Sequence, residues 1–174
     1  YITKNGFKNP VLVAHSNGGR IAANYLSNRK HHVEKAVFVN AAGIPPRNTL
    51  KKTVFKLLAK AGKIALMPFS TTPAGFVSKK ILYMLAGEGD YHNASPVLKK
   101  TMINMLAYNA QKDLQNIKIP VLIVWGERDT ATPMWMGAVM HKHIPNSTFA
   151  TIDGGHNLHR THSRKVAQLI QSCL

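Results

Sequence analysis

The sequence holds 174 residues, 45% hydrophobic and 17% charged, with one cysteine, Cys173. That length suits one compact domain burying roughly 70% of its unfolded surface, the apolar content excludes a disordered chain, and a lone cysteine excludes a disulfide framework or a cysteine-based zinc site. Lys and Arg number 23 against 7 Asp and Glu, a formal net charge of +16, so either nucleic acid, anionic lipid or an acidic partner is drawn to the surface, or the charge is a general basic bias dispersed without long runs.

The chain opens on Tyr1-Ile-Thr-Lys-Asn-Gly-Phe7, which reads as the tail of an element, so a fragment of a longer chain is expected. No apolar run nears the ~20 residues of a spanning helix and none has the form of a secretory leader; a cytoplasmic location is the expectation. Pro10 to His15 is an apolar run closed by Asn17-Gly18-Gly19, a buried strand entering a tight turn. Ile21, Ala22, Tyr25 and Leu26 then fall at helical spacing over about 18–28. A second strand is expected at Lys35–Asn40, a third at Ile119–Trp125, a helix between Pro133 and His143, and a fourth strand at Ser147–Ile152. A closing helix is expected at about Thr161–Ser172, with Val166, Leu169 and Ile170 on one face.

Strands alternating with helices imply an α/β fold, a parallel sheet with flanking crossover helices. Between Gly43 and Ile117 the alternation gives way to helical patterns at about 49–65, 74–86 and 95–110, broken at Pro45-Pro46, Pro68, Pro73 and Gly87 to Asp90. The expected organisation is a core of residues 1–42 and 117–174 with a helical cap at 43–116.

The pentapeptide Ala14-His15-Ser16-Asn17-Gly18 fits small-x-Ser-x-Gly at a strand-turn-helix junction, the form of a nucleophile elbow with Gly19 following. In such a turn Ala14 and Gly18 must be small so that strand and helix can approach; the plainer reading makes Ser16 a helix cap. A serine nucleophile needs a base in contact and an acid to orient it. Of the seven carboxylates, Glu34 starts a strand, Asp113 lies near a helix end, and Glu88 and Asp90 fall in the cap, whereas Glu127, Asp129 and Asp153 lie beyond strand C-termini, where sites of open α/β sheets form. Asp129 is the best placed, against the alternative that it caps the helix at Pro133. The other acid position, after the second strand, holds Asn40 and Ala41. His156, in the Gly-rich loop Asp153-Gly-Gly-His-Asn157, is the candidate base; His159 and His162 read as surface residues, or with His156 as metal ligands for which no nearby carboxylate or cysteine completes a set. No metal and no organic cofactor is implied.

The order Ser16, Asp129, His156 is that of the α/β-hydrolase fold. His15 to Gly19, Trp125-Gly-Glu-Arg-Asp129 through Pro133, and Gly154-Gly155-His156 resemble the nucleophile, acid and base motifs of that superfamily, and Asp90-Tyr-His-Asn-Ala-Ser95 resembles a stretch of its bacterial members. The resemblance covers nearly the whole chain but only the second half of the fold, strands 5 to 8 of a sheet ordered 1-2-4-3-5-6-7-8. It implies a capped serine hydrolase acting on a small-molecule ester or related acyl substrate: Ser16 attacks, His156 takes and returns the proton, Asp129 holds the imidazole, and the Asn17 amide supplies half of the oxyanion hole. The second donor would come from the loop after strand 3 in the missing N-terminal half; loss of one such donor costs ~2.7–4 kcal/mol. The 174 residues alone are therefore expected to be nearly inactive, and aggregation-prone along the bare edge of Val11 to Ala14. Acyl transfer is the same chemistry with another acceptor.

A reading from another class is a non-catalytic basic module for anionic lipid or nucleic acid. In the first cap helix Leu50, Val54, Leu57, Leu58 and Ala61 alternate with Lys51, Lys52, Lys56, Lys60 and Lys63, a pattern that suits an anionic membrane or, equally, a cap helix with its lysines in solvent. Met67, Phe69, Phe76, Met84, Met102 and Met105 would line an acyl pocket or pack the cap. Aromatic residues, 7% of the chain, are not interleaved with the basic ones as a stacking platform needs, so nucleic acid is the weaker version.

Overall fold

The computed structural model describes residues 2, 4–28, 31–45 and 95–173. The helices expected at 49–65 and 74–86, with Glu88, Asp90 and most of the methionine and phenylalanine set, lie outside the described residues. By backbone proximity the chain divides into two compact units, Tyr1–Ile44 with Tyr108–Leu174, and Pro45–Ala107.

The first unit is built on four parallel strands, β1 (Val11–His15), β2 (Lys35–Val39), β3 (Val121–Gly126) and β4 (Ser147–Ile152), lying side by side in chain order. Register runs from Val11 opposite Lys35, through Ala36 opposite Val121, to Val121 opposite Ser147. β3 begins two residues later than the sequence suggests because Pro120 has no N–H to give a ladder; its carbonyl instead accepts from Ala36 N at 3.0 Å. The helices of this unit are α1 (Asn17–Ser27), α3 (Gln111–Leu114), α4 (Met134–His143), α5 (Leu158–Thr161) and α6 (Ser163–Ser172), and the second unit contributes α2 (Pro96–Ala107).

α2 starts at Pro96, where a missing N–H costs nothing, and the Ser95 hydroxyl accepts from Leu98 N at 3.3 Å, a side-chain cap. The closing helix expected at about Thr161–Ser172 is α6, Ser163–Ser172, and the one-turn α5 ahead of it was not anticipated. His162 leaves helical geometry at φ −133°, ψ 34°, between the one-turn α5 and the amphipathic α6. Thr161 bonds back to the Asn157 carbonyl through its hydroxyl at 3.2 Å, the kind of local bond that competes with helix continuation.

The sheet separates two apolar layers, and strand alternation decides which side chain enters which. Phe38, Ile123 and Trp125 face Ala22, Ala23, Leu26, Leu114 and Met140 of α1, α3 and α4. Val37, Val39, Leu122 and Val124 face Leu158 and Val166 of α5 and α6. Burial on both faces is why β2 and β3 read as continuous apolar runs, each large side chain contributing roughly 1.5–3 kcal/mol. β1 is an edge among the described residues, pairing with β2 alone, and Val13 is 52% exposed. No described helix is long and apolar enough to cross a membrane.

Candidate active site

Val11 to Ala14 end against β2 and the chain must reverse at once into α1, so Ser16 takes φ 50°, ψ −123°, a left-handed conformation that costs a serine on the order of 1 kcal/mol or more. The turn is held from both sides. Ser16 N donates to Val39 O at 3.4 Å, and Ser16 O accepts from Gly19 N at 3.0 Å and Ala42 N at 2.6 Å. The Ser16 side chain makes no cap hydrogen bond to α1, so the plainer reading of this residue as a cap is not what the turn adopts. Ala14 is buried beneath it. The steric pressure expected at Gly18 falls instead on Gly19. A Cβ on Gly18 meets nothing within 4 Å, whereas one on Gly19 would lie 2.3 Å from Ala41 Cβ, because α1 starts directly over the loop leaving β2.

Asp129 sits in the loop between β3 and α4, 5% exposed, in a turn that Trp125 secures by donating its Nε1–H to Thr132 O at 2.8 Å. Its two oxygens have separate tasks. Oδ1 accepts from Ala131 N at 2.8 Å and Thr132 N at 2.9 Å, a turn just ahead of α4. Oδ2 accepts from Thr132 Oγ1 at 2.7 Å and faces His156 Nδ1 at 2.8 Å. Turn-making and imidazole contact are thus compatible in one carboxylate. Glu127 accepts from Thr151 Oγ1, and Asp153 pairs in the open with Arg128; neither contacts His156.

His156 reaches the end of the sheet from the loop after β4. Arg128 N donates to Gly154 O at 2.9 Å, drawing that loop against the acid loop. A Cβ on Gly126 would sit 2.5 Å from Gly154 O, so only glycine permits the approach. With Nδ1 turned to Asp129, Nε2 lies 3.0 Å from Ser16 Oγ. The three residues singled out in the sequence are therefore within hydrogen-bonding distance of one another in series. Asn17, expected as an oxyanion donor, is the first residue of α1, directly after Ser16.

Three features were not anticipated. The His15 ring lies between those of His156 and His159, centroids 4.9 and 4.3 Å away, while its Nδ1 is 2.9 Å from Val39 O. Burial pushes the His15 imidazole below its usual range, and His159 and His156 add to that effect against the opposing Val39 carbonyl and Asp129. Thr132 Oγ1 stands 3.2 Å from both Asn40 O and His156 Nδ1. Asn40, fully buried, bonds to the base loop. The only sequence signal for it was its position after β2, where an acid could otherwise sit. Among the described residues no group of three His, Cys, Asp or Glu side chains is arranged to hold a metal ion.

A family model described as "Serine aminopeptidase, S33" matches residues 2–163. RutD of Caulobacter sp. (strain K31), whose name assigns it a carbamate hydrolase role provisionally, is 26% identical over 160 residues, 87% of this chain and 60% of its own length. The structure of a bromoperoxidase from Bacillus anthracis superimposes at TM-score 0.64 with 26% identity, covering 98% of this chain and 68% of that one. An esterase from Exiguobacterium antarcticum, 22% identical, superimposes at 0.66 over 98% of this chain and 68% of its own. An α/β hydrolase from the Mar Chica lagoon metagenome, at 23% identity and TM-score 0.61, is spanned over 63% of its length. The chain thus spans about three-fifths of the relatives it matches, and it belongs to the serine aminopeptidase S33 family of the α/β-hydrolase superfamily.

Proposed function

We propose that this chain carries the catalytic residues of a serine hydrolase that cleaves an ester or a closely related acyl bond. The observation that supports this most strongly is the series Ser16 Oγ, His156 Nε2, His156 Nδ1, Asp129 Oδ2, with separations of 3.0 and 2.8 Å across its two contacts. With Asp129 accepting a hydrogen bond from Nδ1–H, the Nε2 lone pair is left to accept from the Ser16 hydroxyl. Ser16 Oγ attacks the carbonyl carbon as its proton passes to Nε2. The negative charge that develops on the carbonyl oxygen is met by the Asn17 N–H. His156 then returns the proton to the leaving group, the C–O bond to it breaks, and an acyl-serine remains. Water, deprotonated by the same Nε2, repeats the sequence and frees the acid.

The names of two relatives agree in chemistry with this reading, since an ester and a carbamate both present a carbonyl carbon bearing a heteroatom leaving group. The second unit, Pro45–Ala107, is the part of the chain left to select the substrate, and an acceptor other than water would turn the same catalytic residues to acyl transfer. Loss of one donor to the oxyanion costs about 10²–10³-fold in rate, so the Asn17 N–H is the group on which turnover most depends after the three side chains. The test is initial-rate hydrolysis of p-nitrophenyl esters of increasing acyl length by the wild type and Ser16→Ala. Slow, saturable turnover that disappears in Ser16→Ala is expected; equal turnover by both proteins overturns the proposal.

A further inference from the structure

We infer that Asn40 is a positioning residue for His156, a buried clamp that fixes the backbone on both sides of the base; the inference rests on the reading of His156 just given. Asn40 follows β2 directly, with φ 45°, a left-handed conformation that asparagine tolerates better than most side chains. Its side chain spends all its strong hydrogen-bonding groups on two loops. Nδ2 donates to Gly155 O at 3.0 Å and to His156 O at 2.6 Å, and Oδ1 accepts from Gly126 N at 2.7 Å.

The two accepting carbonyls belong to the peptide units that flank His156. Holding both from one nitrogen fixes the planes on either side of its Cα, and with them the direction in which its Cβ leaves the chain. The third bond ties the same side chain to the end of β3, three residues before Asp129. Base loop and acid loop are thus referred to one buried amide. Asn40 is fastened in turn through its own backbone, with its N–H on Val124 O at 3.0 Å and its O facing the Thr132 hydroxyl at 3.2 Å.

This geometry explains why an amide and not a carboxylate occupies a position that could hold the acid of a triad. Two carbonyl oxygens face Nδ2, and an aspartate would turn an acceptor toward both. The side chain at 40 contacts the backbone of His156, and it is Asp129 that meets its ring. An aspartate at 40 therefore does not replace Asp129. Two groups that cannot donate would be left buried beside a third, which is costly in a dry site.

The test uses the chain with Asn40→Asp, Asn40→Gly and the pair Asn40→Asp with Asp129→Asn. Two readouts are followed: the downfield ¹H NMR signal of His156 Nδ1–H, and the rate at which Ser16 is labelled by a fluorophosphonate, normalised to the folded fraction. Asn40→Gly keeps the left-handed backbone and removes the amide, so it separates clamp from conformation if Asn40→Asp does not fold. Loss or broadening of the Nδ1–H signal and labelling slowed about 10–100-fold, the range for groups that orient a first-contact ligand, are expected in both single variants, with no recovery in the pair. A residue that only stabilises the fold would leave signal and rate per folded molecule unchanged, and that result overturns the inference. Recovery of labelling in the pair also overturns it, since position 40 would then be reaching the ring. If the wild type is never labelled at Ser16, the hydrolase reading fails while the Nδ1–H signal still decides whether Asn40 orients the ring.

Discussion

Gly18 and Gly19 are adjacent, chemically identical and opposite in their tolerance of one methyl group. On Gly19 a Cβ would lie 2.3 Å from Ala41 Cβ, 3.0 Å from Ala41 Cα and 3.2 Å from Ala42 O, against an ordinary carbon–carbon contact near 3.5–4.0 Å. None of these atoms can rotate aside, so the start of α1 must part from the loop after β2, and overpacking of that kind costs ~1–3 kcal/mol. At a few degrees per kcal/mol for a domain of this size, Gly19→Ala should lower Tm by about 2–12 °C. Because Ala42 N is bonded to Ser16 O at 2.6 Å, the parting also moves the nucleophile, and a displacement of about 1 Å can cost 10²-fold in rate. Gly18→Ala meets nothing within 4 Å and removes unfolded-state freedom, so it should stabilise by ~0.4–1 kcal/mol. Urea unfolding followed by tryptophan fluorescence, with fluorophosphonate labelling on the same samples, checks both. Equal stability of the two variants, or a Gly19→Ala protein as stable and as readily labelled as the wild type, would refute the steric argument.

Asp129→Asn should retain the turn, since an amide oxygen can still accept from Ala131 N and Thr132 N, while its N–H₂ opposes the needed imidazole tautomer; labelling should fall by up to ~10⁴-fold with Tm little changed, and an unchanged labelling rate counts against Asp129 as the acid. Tyr108 donates its hydroxyl to Asp113, and burial together with that bond pushes its phenol up to about 12 from 10.0. The folded chain therefore keeps the Tyr108 proton where the unfolded chain releases it, so this contribution is complete below pH 10 and lost as pH rises toward 12; Tyr108→Phe should flatten that decline in unfolding free energy. For His15 the sign is reversed in acid. Its imidazole titrates below 6.5 when folded, so the unfolded chain takes up a proton first and stability, complete above that value, falls as the solution is acidified; His15→Gln should lessen the fall in urea midpoint between neutral and mildly acidic pH.

Much of the fold can be read in the chain because a parallel sheet covered on both faces writes its inner strands as unbroken apolar runs. Ala36-Val37-Phe38-Val39 and Val121 to Trp125 are such runs, and their C-terminal ends told where chemistry could collect. What the sequence could not reveal was the division of labour within a residue or between neighbours. Asp129 was read as either a helix cap or an acid, but no side chain caps the helix at Met134; one of its oxygens instead holds the turn before that helix and the other meets His156. Gly18, two positions from Ser16, was read as the crowded glycine, but the loop after β2 passes under Gly19. The one-turn α5, Leu158–Thr161, went unread because four residues are too few to show a helical period. Asn40 is the clearest case. Its meaning depends on Gly155 and His156 lying more than a hundred residues away, and a single sequence does not state which distant carbonyls will face a side chain.

The hydrolase account stands most directly on whether Ser16 is nucleophilic because His156 is beside it. Intact-mass and peptide mass spectrometry of the folded chain after prolonged exposure to a fluorophosphonate measure this without a known substrate. The account predicts one adduct per chain, located on Ser16, absent in Ser16→Ala and strongly slowed in His156→Gln. A folded wild-type chain with no adduct on Ser16, or one that forms at the same rate without the imidazole, would contradict it.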